Sequence, residues 1–154
     1  MAQVTQGKKS PPFSLPATGG TFRSRDALGG KLIVYFYPRD NTPGCTREGE
    51  AFRDLHTKFR RAGAVILGIS TDSLASHEKF KAKMKFPFEL GSDEDHKVAG
   101  LFGVWKEKNM YGKKVMGIER STFLIDADGV LRQEWRKVKV DGHAEAVLDA
   151  VKSL

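Results

Sequence analysis

The segment KLIVYFYPRDNTPGCTREGEAF, residues 31–52, combines a strand, a loop and the start of a helix. Its first seven residues, 31–37, form a continuous run of β-branched and aromatic side chains, which is typical of a buried parallel strand. Thr42 followed by Pro43 is the pattern of a helix N-cap with proline in the first helical position. The segment therefore predicts a strand, a loop and a helix whose first turn holds Cys45, the only cysteine.

A second buried strand is predicted at AVILGIS, residues 64–70. Between the two strands, Phe52, Leu55 and Phe59 repeat at helical spacing, and Gly63 ends the helix that they indicate. Strand, helix and strand in this order predict a βαβ unit, in which both strands are parallel.

The rest of the chain continues the alternation of strands and helices. We predict a hairpin from PFSLPA and TFRS, helices from about Ser73 to Lys83 and near Asp95 to Phe102, a hairpin of RSTFLID (120–126) and VLRQEW (130–135), and a final helix capped by Asp141. Neither a repeat nor a linker interrupts the pattern. One compact α/β domain is therefore expected over residues 1–154.

The composition fits a protein of the cytoplasm. A chain of 154 residues with 40% hydrophobic content buries a core without disulfides or a structural metal. The longest apolar run, residues 64–69, is far too short to cross a bilayer, and the first fifteen residues lack the apolar stretch of a secretory leader. A reducing compartment would keep the single cysteine as a free thiol.

The net charge of +7 comes from 26 basic and 19 acidic residues. Its clusters, KFKAKMK, KEKNMYGKK and RQEWRKVK, are interrupted by acids and apolar residues, so solvated faces are favoured over a nucleic-acid site. The four histidines show no ligand spacing, and no GxGxxG motif occurs. We expect neither a metal nor another cofactor.

Cys45 is a core filler, a metal ligand or a nucleophile. Taken alone, an inert core thiol is favoured, but the helix cap, the neighbouring prolines and the resemblance described below favour a nucleophile. In the first helical turn its sulfur lies near unpaired N–H groups and the positive end of the helix dipole, which favour a thiolate. A helix terminus supplies only about 0.3 to 1 kcal/mol in exposed settings. A cation from another element is needed as well, and spacing does not identify which arginine supplies it.

Pro38, Thr42 and Cys45 stand in the PxxxTxxC arrangement of the peroxiredoxins. The string YFYPRDNTPGCTREGEAF, together with SPPFSLPATGG, GVWKEKNMYGKK and GIERSTFLIDADGVL, resembles the peroxiredoxin Q group, also called bacterioferritin comigratory protein. The resemblance implies a thioredoxin-like fold with a central mixed β-sheet, flanking helices and an N-terminal β-hairpin. It also implies a thiol peroxidase that reduces hydrogen peroxide and organic hydroperoxides.

The resemblance assigns roles to four residues. Cys45 matches the peroxidatic cysteine, Thr42 the hydroxyl that hydrogen-bonds the peroxide, and Pro38 the ring that shields the site. Arg120, in GIERSTFLID, matches the arginine that the family brings to the thiolate from a distant strand. The resemblance thus identifies Arg120 as the cation that is needed beside the thiolate in addition to the helix dipole.

Two further residues near Cys45 are candidates for substrate binding. The backbone N–H of Gly44 would assist that of Cys45, and Glu48 is either a partner that holds an arginine or a solvated acid near a helix start. Trp105, Tyr111 and Met116 belong to a segment that would wall the peroxide pocket, although core packing is the alternative for Trp105.

The chain departs from the family in its cysteines. Glu50 and a residue near Lys81 occupy the places where many members carry a second, resolving cysteine. We therefore predict a one-cysteine version, whose sulfenic acid is reduced by glutathione, glutaredoxin, thioredoxin or Cys45 of another molecule. A monomer is expected, with a transient dimer as the alternative. The competing functions are a redox-sensing module that does not turn over and, less favoured, a nucleic-acid-associated protein.

Overall fold

The structure, a computed structural model, describes residues 4–154, so the first three residues of the predicted domain lie outside it. Its strands are β1 (Ser14–Leu15), β2 (Phe22–Arg23), β3 (Lys31–Phe36), β4 (Ala64–Ser70), β5 (Glu89–Ser92), β6 (Trp105–Met110), β7 (Lys113–Ile118), β8 (Ser121–Ile125) and β9 (Leu131–Trp135). Its helices are α1 (Pro43–Asp54), α2 (His56–Arg61), α3 (Leu74–Met84), α4 (Lys97–Leu101) and α5 (His143–Lys152), and a 3-10 helix covers Ser24–Ala27.

The central sheet has five strands in the order β5-β4-β3-β8-β9. The central strand β3 runs parallel to β4 and antiparallel to β8, so that Ile33 lies opposite Ile66 on one side and Leu124 on the other. The predicted βαβ unit, the hairpin of β8 and β9, and the N-terminal hairpin of β1 and β2 are confirmed. The sheet is mixed, as predicted.

Two apolar cores lie on opposite faces of this sheet, because successive side chains of a strand point to opposite sides. Ile33 and Tyr35 pack with Phe52 in the core that α1, α2, α3 and α5 cover. Leu32 and Val34 belong to the other core, which α4 and the N-terminal hairpin cover. Helices on both faces explain why the central strand is apolar and buried from Leu32 to Phe36.

Two helix predictions need correction. The helix expected from Pro43 to Gly63 is divided at Leu55, whose φ of −99° and ψ of 2° interrupt the regular backbone. Asp141 is not the cap of the last helix: the N-cap is Gly142, whose φ of 73° turns the chain into α5. That left-handed conformation suits glycine, and Asp141 instead forms an exposed ion pair with Arg47 at 2.9 Å.

Three strands and the 3-10 helix of Ser24–Ala27 have no counterpart in the sequence predictions. Strand β5 extends the sheet beside β4, and β6 pairs with β7 in a separate two-stranded hairpin between α4 and β8.

The longest helix among residues 4–154 is α1, with 12 residues. Within that range, every helix is too short or too polar to span a bilayer.

Candidate active site

Cys45 lies in the first turn of α1, directly after the loop that follows β3. Thr42 occupies the N-cap position with φ −95° and ψ 156°, and Pro43 begins the helix, as predicted. The first N–H groups of a helix have no intrahelical partner, so those of Gly44 and Cys45 point out of the helix end. The helix thus holds the sulfur where an anion is favoured.

Sheet topology brings Arg120 to this helix. Because β8 is antiparallel to β3, its first residue, Ser121, lies opposite Phe36 at the end of β3. Arg120 precedes Ser121 and therefore reaches the loop after β3. Its Nη2 donates to the Cys45 sulfur at 3.3 Å. Arg120 thus places a positive charge beside the sulfur, in addition to the positive end of the helix dipole.

Arg120 also pairs with Glu48. Its Nη1 donates to Glu48 Oε1 at 2.6 Å, and Glu48 lies three residues after Cys45 on the same side of α1. Glu48 is only 1% exposed, which excludes the alternative of a solvated acid. One guanidinium therefore contacts both the sulfur and a buried carboxylate, and each contact restricts its orientation.

Burial dominates the ionisation of the groups around Arg120. It raises the pKa of Glu48 to about 7, although Arg120 acts in the opposite direction. The second carboxylate oxygen of Glu48, Oε2, is buried without a hydrogen-bond partner among residues 4–154. Burial would lower the pKa of Arg120, but Glu48 and Cys45 raise it above the ordinary value, so the guanidinium stays charged. Burial and then Arg120 lower the pKa of His143 to about 4.

Gly44 allows the guanidinium to come this close. A Cβ atom at position 44 would lie 3.2 Å from Nη2 of Arg120, which is tighter than an ordinary van der Waals contact. A larger residue would press on the atom that reaches Cys45. Besides its backbone N–H, Gly44 thus contributes the absence of a side chain.

The Thr42 hydroxyl does not cap the helix, contrary to our expectation that it would do so while also serving the site. It donates to the carbonyl oxygen of Arg39 at 2.9 Å, and its side chain accepts no hydrogen bond from the helix. With its hydrogen directed to Arg39, the hydroxyl oxygen keeps lone pairs for another donor.

A cavity of about 640 Å³ brings these groups together. Pro38, Thr42, Cys45 and Arg120 line it on the side of the central sheet. The opposite wall comes from the β6–β7 hairpin and includes both apolar and basic side chains: Trp105, Lys108, Met110, Val115, Met116 and Ile118. The cavity therefore offers an apolar surface next to the thiol.

The hairpin residues chosen from sequence have different positions. Trp105 and Met116 line the cavity, and Trp105 also stacks on His96 with ring centroids 4.3 Å apart. Tyr111, at the tip of the hairpin, is fully exposed and does not line the cavity. The prediction of a pocket wall therefore holds for Trp105 and Met116 and is wrong for Tyr111.

Sequence reasoning missed a polar cluster beside the loop of residues 38–42. Side-chain atoms of Asp40, Asp72 and His77 lie within 4.8 Å of one another. The side chains of Asp40 and His77 are hydrogen-bonded to each other, and the Asp72 carboxylate accepts from the Asp40 N–H and the Ser70 hydroxyl. Only Asp40 is near Cys45 in sequence, and Asp72 and His77 follow in the next strand-helix unit.

Known proteins are similar to this chain in sequence and in structure. A model of the AhpC/TSA family matches residues 6–134. The chain belongs to this family. Peroxiredoxin Bcp of Xanthomonas campestris is similar, with 55% identity over 144 residues, 92% of this chain and 90% of that protein.

Two solved structures are also similar to this chain. A Xanthomonas campestris bacterioferritin comigratory protein, described for its alkyl peroxide reduction activity, has a TM-score of 0.87 at 53% identity and covers 92% of this chain and 90% of its own. A mutant of Xylella fastidiosa PrxQ has a TM-score of 0.93 at 41% identity, with coverage of 99% and 98%. These findings confirm the resemblance to peroxiredoxin Q and the thioredoxin-like fold.

Proposed function

We propose that the chain is a thiol-dependent peroxidase that reduces hydrogen peroxide and organic hydroperoxides through Cys45. The observation that carries this proposal is the 3.3 Å contact between Arg120 Nη2 and the Cys45 sulfur at the wall of the cavity. An inert core thiol would not require a partly buried guanidinium beside it. The alkyl peroxide reduction described for the Xanthomonas relative supports the same chemistry.

The reaction follows from the positions of four residues. The Cys45 thiolate attacks the hydroperoxide oxygen that carries the hydrogen, an S–O bond forms and the O–O bond breaks. The products are a Cys45 sulfenic acid and an alkoxide or hydroxide, which takes a proton to become alcohol or water. Thr42 accepts the hydroperoxide O–H, Arg120 stabilises the developing negative charge, and the ring of Pro38 limits the access of water. The N–H groups of Gly44 and Cys45 add donors.

Regeneration requires a thiol from another molecule, since the 154 residues contain one cysteine. That thiol attacks the sulfenic sulfur, releases water and forms a mixed disulfide, and a second thiol restores Cys45. Glutathione, glutaredoxin and thioredoxin are the candidate donors, and Cys45 of a second molecule would give a transient dimer of an otherwise monomeric protein. The need for a reduced thiol supports a cytoplasmic location, and the five-stranded sheet that both apolar cores share supports a single domain.

Turnover separates this function from a redox sensor. The purified protein is given hydrogen peroxide or an organic hydroperoxide with each thiol donor in turn. We expect many equivalents of peroxide to be consumed per Cys45, and none by Cys45→Ser. Consumption that stops near one equivalent with every donor would favour the sensor, and undiminished consumption by Cys45→Ser would refute the proposal.

A further inference from the structure

A buried pair of Asp40 and His77 joins the loop of residues 38–42 to helix α3. Asp40 is 7% exposed and His77 is fully buried. His77 Nε2 lies 2.9 Å from the carbonyl oxygen of Gly91, and Nδ1 lies 2.7 Å from Asp40 Oδ2. A carbonyl oxygen only accepts, so Nε2 donates to it, and the short Nδ1 contact needs a second hydrogen between ring and carboxylate. Each ring nitrogen of His77 is therefore committed.

Other groups fix the Asp40 carboxylate. The Tyr37 hydroxyl donates to Oδ1 at 2.6 Å, and the Ser76 hydroxyl donates to Oδ2 at 2.8 Å. Together with His77, these donors come from the end of β3 and from α3. The loop is thus attached at its centre to two elements of the fold, and Asp40 does not rotate away without breaking several buried hydrogen bonds.

One peptide group connects this network to the substrate site. The N–H of Asp40 donates to Asp72 Oδ2 at 2.8 Å, and the carbonyl oxygen of Arg39 accepts from the Thr42 hydroxyl at 2.9 Å. The Arg39 carbonyl and the Asp40 N–H belong to the same planar peptide unit. A shift of Asp40 therefore tilts the carbonyl that orients the Thr42 hydroxyl.

We propose that Asp40 and His77 are positioning residues for peroxide reduction, which act by fixing the peptide between Arg39 and Asp40 and thereby the Thr42 hydroxyl. The inference rests on the proposed function. It does not involve the charge on Cys45, because the hydrogen bond to the sulfur comes from Arg120. The network therefore governs how peroxide is bound, while the reactivity of the sulfur toward other electrophiles is independent of it.

Asp40→Asn tests the inference, since the amide retains the size of the side chain but places an N–H₂ group among donors. We expect the second-order rate constant for hydrogen peroxide, measured by stopped-flow fluorescence, to fall about tenfold to a hundredfold, the range that small misplacements of a reacting group produce. Alkylation of Cys45 by iodoacetamide should keep the wild-type rate, because that reaction makes no use of Thr42.

Asp93→Asn is the matched control. Asp93 is 2% exposed and accepts the N–H groups of Val98 and Ala99, so the substitution also disturbs a buried carboxylate, but one outside the loop. It should leave both rates unchanged. If Asp40→Asn does not fold, Tyr37→Phe tests the inference instead, because it removes the hydroxyl that donates to Asp40 Oδ1. We expect this variant to react several-fold more slowly with peroxide and to be alkylated at the wild-type rate.

Each outcome has one meaning when circular dichroism shows a folded protein. Wild-type peroxide rates in Asp40→Asn, or in Tyr37→Phe if that variant alone folds, would overturn the inference. So would a loss of peroxide reactivity matched by an equal loss of alkylation, since that would indicate a general effect on structure. If the wild-type protein itself does not react with peroxide, the proposed function fails.

Discussion

Glu48 should make the stability of this protein depend on pH in an unusual direction. Burial raises its pKa from 4.5 to about 7, so between these values the folded chain holds a proton that the unfolded chain has released. Protonation therefore favours folding at low pH, and this advantage is lost as the pH rises through about 7. Proton linkage puts the loss of unfolding free energy at about 2 to 3 kcal/mol between about pH 5 and about pH 8.

His143 acts in the opposite direction. Burial lowers its pKa from 6.5 to about 4, so the unfolded chain binds a proton that the folded chain excludes. Its contribution to stability is present above about pH 6.5 and is lost as the pH falls toward about 4, by about 2 kcal/mol at about pH 5. In the wild-type protein the two effects nearly cancel, and each hides the other.

Glu48→Gln separates them, because glutamine still accepts from Arg120 but does not titrate. We expect the variant to lose about 2 kcal/mol of unfolding free energy from about pH 8 to about pH 5, while the wild-type protein changes little. His143→Gln, the matched control, should lose stability in the opposite direction, as the pH rises. Urea denaturation followed by circular dichroism measures both, and other titrating groups cancel in the differences. Identical pH profiles for the wild type and Glu48→Gln would refute the reasoning.

Substitutions at three further residues test the site. Arg120→Met removes a cation and its hydrogen bond to the Cys45 sulfur. Hydrogen bonds that involve a charged group are worth about 1.5 to 3 kcal/mol, so alkylation of Cys45 near neutral pH should slow at least about tenfold, with Arg120→Lys retaining part of the rate. Equal rates in all three proteins would contradict this role. Gly44→Ala should displace the Arg120 guanidinium and reduce peroxide reactivity several-fold without lowering the melting temperature, and wild-type kinetics would show that the contact is not restrictive. Thr42→Val should slow the reaction with peroxide and leave alkylation by iodoacetamide unchanged, whereas parallel losses would argue against a specific peroxide contact.

Local patterns were sufficient to predict the centre of the fold. The strand at residues 64–70 has the predicted bounds, because a continuous apolar run between glycine and polar residues marks a buried strand without reference to the rest of the chain. The Thr42-Pro43 pattern likewise located the start of α1, since N-cap geometry depends on neighbouring residues only. Cys45 followed from that helix start.

Contacts that depend on sheet order could not be predicted from periodicity. Arg120 meets Glu48 across 72 positions because β8 lies beside β3. The family resemblance indicated only that Arg120 approaches the thiolate, and the position of Glu48 on the helix left its partner open. Asp40 and His77 are 37 positions apart, and a lone histidine in a helix gives no indication of its partner. The β6–β7 hairpin was not predicted because its lysine-rich sequence lacks the apolar alternation of a half-buried strand.

Among the strands of residues 4–154, β6 and β7 pair only with each other, whereas the reactive sulfur and its arginine lie on elements joined to the central sheet. One wall of the cavity and the thiol with its arginine therefore belong to different parts of the fold. Exchange of the apolar hairpin residues is therefore expected to change which hydroperoxides bind while the hydrogen bonds among Cys45, Arg120 and Glu48 stay in place.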